Sequence, residues 1–284
     1  MTTASPRPPR SMSNMTTRAL TGIVLLPLVM FATFSGGLVL LALALLLVVL
    51  GALEFYHMER QRHLQSNAVV GVGVAVTVVL AFHLQNSLLY QMAFLVGALL
   101  IFGMELLRTR QPLASASRIL TTLGGVLYLA VPAGCLLVIR QIEPLGVNWL
   151  YAVLFSTWGT DTFAYLCGSA FGRTPLAPRL SPNKTREGAL GGVVGSVALT
   201  SLVLAQMHAL SFATLLLLVL AALVAIWGDL FESGLKRYFG VKDSTVPGLN
   251  VFPGHGGVLD RVDALLWVAL VYYGFLAFSG RVGF

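Results

Sequence analysis

The feature that most constrains this chain is the clustering of its apolar residues into blocks of roughly 16–25, the length an α-helix needs to cross ~30 Å of hydrocarbon at 1.5 Å per residue. Nine blocks can be read, at about 20–35, 37–54, 68–84, 91–107, 120–139, 149–171, 189–207, 211–231 and 263–279. Lipid cannot satisfy backbone N–H and C=O groups, so each block should be helical. Hydrophobic residues make up 57% of the 284 and charged residues only 10%, which excludes an ordinary soluble domain. The expected fold is all-α: a polytopic membrane helix bundle of about nine transmembrane helices. The first two blocks are the hardest to separate, because only Ser35, Gly36 and Gly37 lie between them.

The basic residues set the orientation. With the N-terminus cytoplasmic, nine spans place the N-terminal tail, the even-numbered loops and the 232–262 loop inside. Those segments hold 16 of the 18 Lys and Arg, and only Arg140 and Arg281 fall outside. One missed helix would scramble that split, so the asymmetry supports both the count and the orientation. The net charge of +7 then belongs to the cytoplasmic face and not to a nucleic-acid site. Anionic head groups or a polyanionic soluble substrate are the natural partners. The expected location is the cytoplasmic (inner) membrane, with any active site facing the cytoplasm.

Three regions follow along the chain. Residues 1–18 are rich in Pro, Ser and Arg and are expected to be a disordered basic tail, leading into a retained first anchor and not a cleaved signal. Residues 19–150 are N-terminal transmembrane helices with almost no ionisable group inside them. Glu54 and Glu105 sit at span ends beside Arg60 and Arg108, and are expected to be solvated interface charges. Residues 151–284 form the polar half, with cytoplasmic loops 173–188 and 232–262. Cys135 and Cys167 lie inside spans without metal-ligand spacing, which suits inert buried thiols. No internal repeat is evident, which argues against a transporter built from inverted halves.

The polar half carries three clusters. In STWGTDTFAYLCGSAFG, Asp161 lies about twelve residues, or ~18 Å of helix, before Arg173. A carboxylate at that depth costs about 2.5–3.5 kcal/mol on insertion scales unless something compensates it, such as a polar cavity reaching in from the cytoplasm. In LAPRLSPNKTREGALGGVVG a loop runs into a helix starting near Glu187, where free N–H groups, Lys184 and Arg186 would suit phosphate. Gly191 and Gly192 in this cluster could equally serve helix packing.

The third cluster is GDLFESGLKRYFGVKDSTVPGLNVFPGHGGVLDRVD. If the eighth helix continues past the membrane surface, Asp229, Glu232, Ser233 and Lys236 form one polar stripe, at i, i+3, i+4 and i+7. Asp260 and Asp263 likewise share a face at the start of the last span. Two such helix ends could hold Mg²⁺ through carboxylates and substrate phosphates. The PGHGG run between them removes side chains where backbone must approach something closely, with His255 as a donor or acid. Carboxylates beside Lys, Arg and backbone N–H donors are the components of phosphoryl or nucleotidyl transfer. No P-loop is present.

At these residues the sequence resembles the phosphatidate cytidylyltransferases (CDP-diacylglycerol synthases). The resemblance rests on Ser233, Lys236-Arg237, Lys242-Asp243, His255-Gly256-Gly257 and Asp260-Arg261-x-Asp263. It also rests on Gly228-Asp229-Leu230 with Glu232, Asp161-Thr162 with Ala164-Tyr165, and Ser181-Pro182 with Lys184-Thr185 and Glu187-Gly188. These motifs span about 156–264; the N-terminal helices agree only in hydropathy.

The resemblance implies transfer of CMP from CTP to phosphatidic acid, with Mg²⁺ as cofactor, room for a second cation, and a homodimer. It implies catalytic roles for Asp229, Lys236, Asp243, His255, Asp260 and Asp263. Substrate contacts are implied for Ser181, Lys184, Thr185, Glu187, Ser233, Arg237, Lys242, Gly256, Gly257 and Arg261, and metal contacts for Asp229, Asp260, Asp263 and Asp161. Two departures stand out: the 244–252 segment is roughly four residues longer than the family pattern, and Arg186 replaces an expected aromatic residue. A divergent paralogue or a CTP-dependent polyprenol-type lipid kinase is the nearest alternative. An ion-coupled transporter is a more distant one, because few polar residues occupy the outer halves of the spans.

Overall fold

The structure is a computed structural model that describes residues 12–62, 66–108, 112–246 and 256–282, with residues 12–22 as backbone alone. Among these residues there are nine helices: α1 (Met12–Ser35), α2 (Gly37–Arg60), α3 (Ala68–His83), α4 (Ser87–Arg108), α5 (Pro112–Arg140), α6 (Gly146–Phe171), α7 (Arg186–Gln206), α8 (Phe212–Phe239) and α9 (Leu259–Phe278). A short antiparallel hairpin, β1 (Pro175–Ala177) and β2 (Ser181–Thr185), joins α6 to α7. Every apolar block has become a helix, so the all-α reading holds.

Six of these helices, α2, α4, α5, α7, α8 and α9, are long and apolar enough to cross a membrane. The apolar part of α1 and the whole of α3 are shorter. The middle of α6 carries Ser156, Thr157, Thr160, Asp161 and Thr162.

Small residues and helix-end contacts hold the bundle together. α6 and α7 lie close because glycines face the contact. A Cβ on Gly188 would stand 2.8 Å from the Ala164 carbonyl oxygen, and one on Gly192 would stand 2.8 Å from that of Thr160. The Gly191-Gly192 pair is thus a packing surface. Arg140, at the end of α5, donates to the carbonyls of Thr33 (2.6 Å) and Phe34 (2.7 Å) and satisfies the last turn of α1. α8 begins with a capping box between Ser211 and Thr214 and stops at Gly240, whose φ of 76° ends the helix in the left-handed conformation. It therefore runs past its apolar block, as the polar stripe requires.

Several expectations need correction. The tail expected to be disordered to residue 18 is helical from Met12, because after Pro9 no proline or glycine interrupts the run into the first apolar block. The boundary set at residue 150 falls inside α6, which starts at Gly146 directly after the Glu143–Pro144 turn. The loop 173–188 contains a hairpin. Glu105 is not a solvated charge: its side chain is 2% exposed and accepts from Arg118 Nε of α5 at 2.8 Å, with Arg108 at 3.8 Å. Cys135 is buried and Cys167 half-buried, and both are free thiols.

Candidate active site

The polar site forms where the hairpin, the end of α8 and the start of α9 meet. The hairpin is fastened at its base. Arg186 N–H donates to Thr174 O (2.9 Å), and the Glu187 carboxylate accepts from Arg173 N–H (3.1 Å) and Thr174 N–H (3.1 Å). Thr185 caps α7, its Oγ1 accepting from Gly188 N–H at 3.1 Å. Ser181 pairs with Ala177 across the hairpin. Ser181, Thr185 and Glu187 thus build the support, and its product is the placement of Lys184. That lysine ion-pairs with Asp229 of α8, 45 residues along the chain.

A second lysine joins α8 to α9. Lys236 ion-pairs with Glu232 one turn earlier and with Asp260 Oδ1 at 2.6 Å. The other Asp260 oxygen accepts from Gly257 N–H (2.9 Å), Ser244 Oγ (3.1 Å) and Ser244 N–H (3.3 Å). The two glycines of the His-Gly-Gly motif are explained here. Gly256 has φ +80°, and a Cβ on it would stand 2.6 Å from Asp260 Oδ2. A Cβ on Gly257 would collide with Ser244 Oγ and the Glu54 carboxylate. The backbone therefore closes directly onto acidic side chains.

Glu54 is the largest departure from the sequence reading. It is 1% exposed, not a solvated interface charge. It accepts from Val258 N–H (2.8 Å), Leu259 N–H (2.8 Å) and Ser244 Oγ (2.9 Å). A carboxylate from α2 thus satisfies free N–H groups at the start of α9, where the helix dipole favours negative charge. Ser244 stands between Glu54 and Asp260 and, with one hydroxyl proton, donates to one of them at a time. One signal was available in the sequence: Glu54 has no Lys or Arg three or four residues away on its own helix. Ser244 gave none.

Asp263 is buried, with Oδ1 accepting from Ala264 N–H at 2.8 Å. It lies in the electrostatic field of Asp229, Asp161 and Lys236. Asp161 in turn interacts with Asp229, Lys184 and Arg261, although its own residue is exposed on α6. Asp161, Asp229, Glu232, Asp260 and Asp263 gather around Lys184, Lys236 and Arg261, so acidic side chains outnumber basic ones here. Among the described residues, no three His, Cys, Asp or Glu side chains stand together closely enough to enclose an ion.

Not every candidate joins this cluster. Arg237, Lys242 and Asp243 are exposed, and Asp243 accepts from Thr245 Oγ1 at 2.6 Å. Ser233 is half-buried. His255 and residues 247–252 of the long segment lie outside the described residues.

Lysines and carboxylates paired at a helix junction of a membrane protein are groups that suit phosphate chemistry. The comparisons with known proteins are more specific: the model of the cytidylyltransferase family matches residues 16–279. The chain is 33% identical to a Brucella abortus phosphatidate cytidylyltransferase over 266 residues, covering 92% of this chain and 93% of the relative. It is 35% identical to the Pseudomonas aeruginosa phosphatidate cytidylyltransferase over 275 residues, covering 89% and 97%. A Thermotoga maritima phosphatidate cytidylyltransferase is 50% identical over 130 residues, 43% of this chain and 46% of that one. The chain belongs to the cytidylyltransferase family.

Proposed function

We propose that this protein transfers CMP from CTP to phosphatidic acid, forming CDP-diacylglycerol and pyrophosphate. The observation that carries the reading is the Lys184–Asp229 and Lys236–Asp260 pairing at the meeting point of the hairpin, α8 and α9, with the buried Asp263 beside it. Each of these lysines is paired with a carboxylate. Incoming phosphates replace the carboxylates as partners of Lys184, Lys236 and Arg261, and the freed carboxylates become available to a cation. Exposed Arg237 and Lys242 extend the cationic surface toward the cytosol.

An oxygen of the lipid phosphate attacks the α-phosphorus of CTP in line. The bond from that phosphorus to the bridging oxygen breaks, and pyrophosphate leaves with the electron pair. A phosphate monoester is already nucleophilic near neutral pH, so the site needs no strong base. His255, beside Gly256, is left to orient a phosphate.

Mg²⁺ would suit these residues, because carboxylate oxygens from α8 and α9 meet here beside the proposed phosphate site, and Mg²⁺ is held by one or two carboxylates together with phosphate oxygens and water. Asp229 and Asp263 would hold it, with Asp260 and Asp161 nearby, and a second cation belongs to the same proposal. When bound, it supplies neutralisation of charge on the reacting phosphates.

The same reading takes all nine helices as spans, puts the N-terminus in the cytoplasm of an inner membrane, and makes the site open to the cytosol. The distribution of basic residues supports it. Asp161 and Thr162 are exposed on α6, which hydrocarbon would penalise. A second copy of the chain, forming a homodimer, or a water-filled recess covers them.

The test uses purified protein in mixed micelles with phosphatidic acid, Mg²⁺ and CTP labelled at the α- or γ-phosphorus. Label from the α-position in the lipid, with one pyrophosphate per turnover, is the expected result. Label from the γ-position in an added alcohol would identify a lipid kinase instead.

A further inference from the structure

Two apolar grooves of similar size lie on the helix bundle. One, of about 310 Å³, runs between α5, α8 and α9 and is lined by Gly124, Leu127, Tyr128, Phe231, Leu266 and Trp267, among others. The second, of about 340 Å³, lies between α3 and α4 around Gly73, Thr77, Val96 and Gly97. Both reach the lower end of the range for small-molecule pockets, about 300–1,000 Å³. Their surroundings differ. Neither groove has a charged residue in its lining, but the first begins where the carboxylate cluster ends.

Three contacts establish that continuity. Trp267 is four residues after Asp263 on α9, so the two share a helix face. The Trp267 ring also packs against the α8 backbone at Gly228, next to Asp229: a Cβ on Gly228 would stand 2.6 Å from its Cδ1. Phe231 stacks edge-on against Trp267 with centroids 5.2 Å apart, and Phe231 precedes Glu232. Tyr128, from α5, closes the far wall at 5.6 Å from Phe231 and lies in the field of Asp263, Glu232 and Asp229. From this end the groove follows α9 through Leu266 to Leu270, away from the charged helix start and into the apolar span.

We infer that this groove holds an acyl chain of the lipid substrate while its phosphate sits among Lys184, Lys236 and Arg261. The inference rests on the phosphatidic acid reading above. A phosphoglyceride has this division, an anionic end at the membrane surface continued by hydrocarbon running inward. Two lining side chains also carry donors, Tyr128 Oη and Trp267 Nε1, that are buried without a hydrogen-bond partner among the described residues. The ester carbonyls of a diacyl lipid are acceptors that bring no donor of their own, and they lie between phosphate and chain.

The groove supplies its own test. Nothing lies within 4 Å of a Cβ placed on Gly124, so Gly124→Leu starts into open space on the groove's lining and replaces a poor helix former with a good one. The same holds for Gly73 in the second groove, which makes Gly73→Leu a matched control. With full-length protein in mixed micelles, Gly124→Leu should raise KM for dioleoyl phosphatidic acid roughly tenfold. KM for dihexanoyl phosphatidic acid and for CTP should stay near wild type, and Gly73→Leu should alter none of the three.

Binding is read independently by quenching of tryptophan fluorescence with phosphatidic acid brominated on its chains. Quenching should saturate, yield to unlabelled phosphatidic acid but not to phosphatidylcholine, and be lost in Gly124→Leu. Equal quenching by brominated phosphatidylcholine, or an equal effect of Gly124→Leu on short and long chains, would reduce the groove to ordinary lipid contact. Saturable quenching in a wild-type protein that transfers no CMP would uphold the groove and overturn the reaction. Normal CMP transfer with quenching and KM untouched by Gly124→Leu would do the reverse.

Discussion

Glu105 on α4 and Asp263 on α9 are both buried carboxylates near helix ends, and they are held in opposite ways. Glu105 has a dedicated cation, Arg118, at 2.8 Å and a second at 3.8 Å. Asp263 forms no ion pair among the described residues; its neighbours in the field are Asp229 and Asp161, with Lys236 already committed to Glu232 and Asp260. A carboxylate matched to its own cation is finished as structure. A carboxylate crowded by others is incomplete without positive charge, which the proposed nucleotide-bound cation would bring. Lone acidic residues in greasy helices can thus be sorted by what they already hold.

That contrast is broken most directly at Asp263. Asp263→Asn keeps the shape and removes the charge. It is expected to lower turnover by on the order of 10²–10³, the loss seen when one electrostatic contact to a reacting group goes. Insertion, purification and thermal midpoint should stay normal. Labelled-CTP turnover checks this, and wild-type rates would remove Asp263 from the site.

Lys236 belongs to both categories. Lys236→Met leaves Glu232 and Asp260 adjacent without their shared cation. An uncompensated buried charge costs about 3–5 kcal/mol, so both the thermal midpoint and the activity should fall. The extra substitution Glu232→Gln should recover much of the stability and little of the turnover. Recovery of both would make Lys236 a structural residue alone.

How much of this was legible in the sequence depends on how far apart the partners lie. Hydropathy located all nine helices, because a 16–25-residue block carries its own signal. The stripe Asp229, Glu232, Lys236 was also legible, since helical spacing is local. The hairpin was not: PLA and SPNKT are short, proline-bearing and without alternation, and their pairing comes from the base held by Glu187 and Arg186. The Lys184–Asp229 pair was invisible for the same reason, 45 residues lying between its members. Glu54 was misread because its partners, Val258 and Leu259, are more than 200 residues away. His-Gly-Gly was read as backbone approaching something, which was right, but only the fold identifies Ser244, Glu54 and Asp260 as what it approaches.

Glu54 sharpens the comparison from the other direction, being buried, without a cation and yet satisfied. Glu54→Gln replaces one acceptor oxygen with an amide donor facing N–H groups. Leaving a buried donor unmet costs about 1–3 kcal/mol, and the disturbance reaches Asp260 through Ser244. A loss of roughly tenfold in kcat/KM is expected, with a lowered thermal midpoint. A solvated Glu54 would make the substitution silent in both measurements.

The smallest effect on catalysis, and the most informative control, belongs to Arg118→Leu. It strips Glu105 of its close cation, leaving Arg108 at 3.8 Å on an exposed side chain. The stability loss should approach the cost of an unpaired buried charge, about 3–5 kcal/mol, so the thermal midpoint should fall by several degrees. Turnover per folded molecule should not fall, because the Arg118–Glu105 pair shares no hydrogen bond or ion pair with the carboxylate cluster. Adding Glu105→Gln should restore most of the midpoint, since removing both charges removes the desolvation cost with them. If Arg118→Leu lowered kcat as much as Asp263→Asn does, a matched ion pair could no longer be told from a reactive carboxylate by its partners, and the sorting of the two halves would fail.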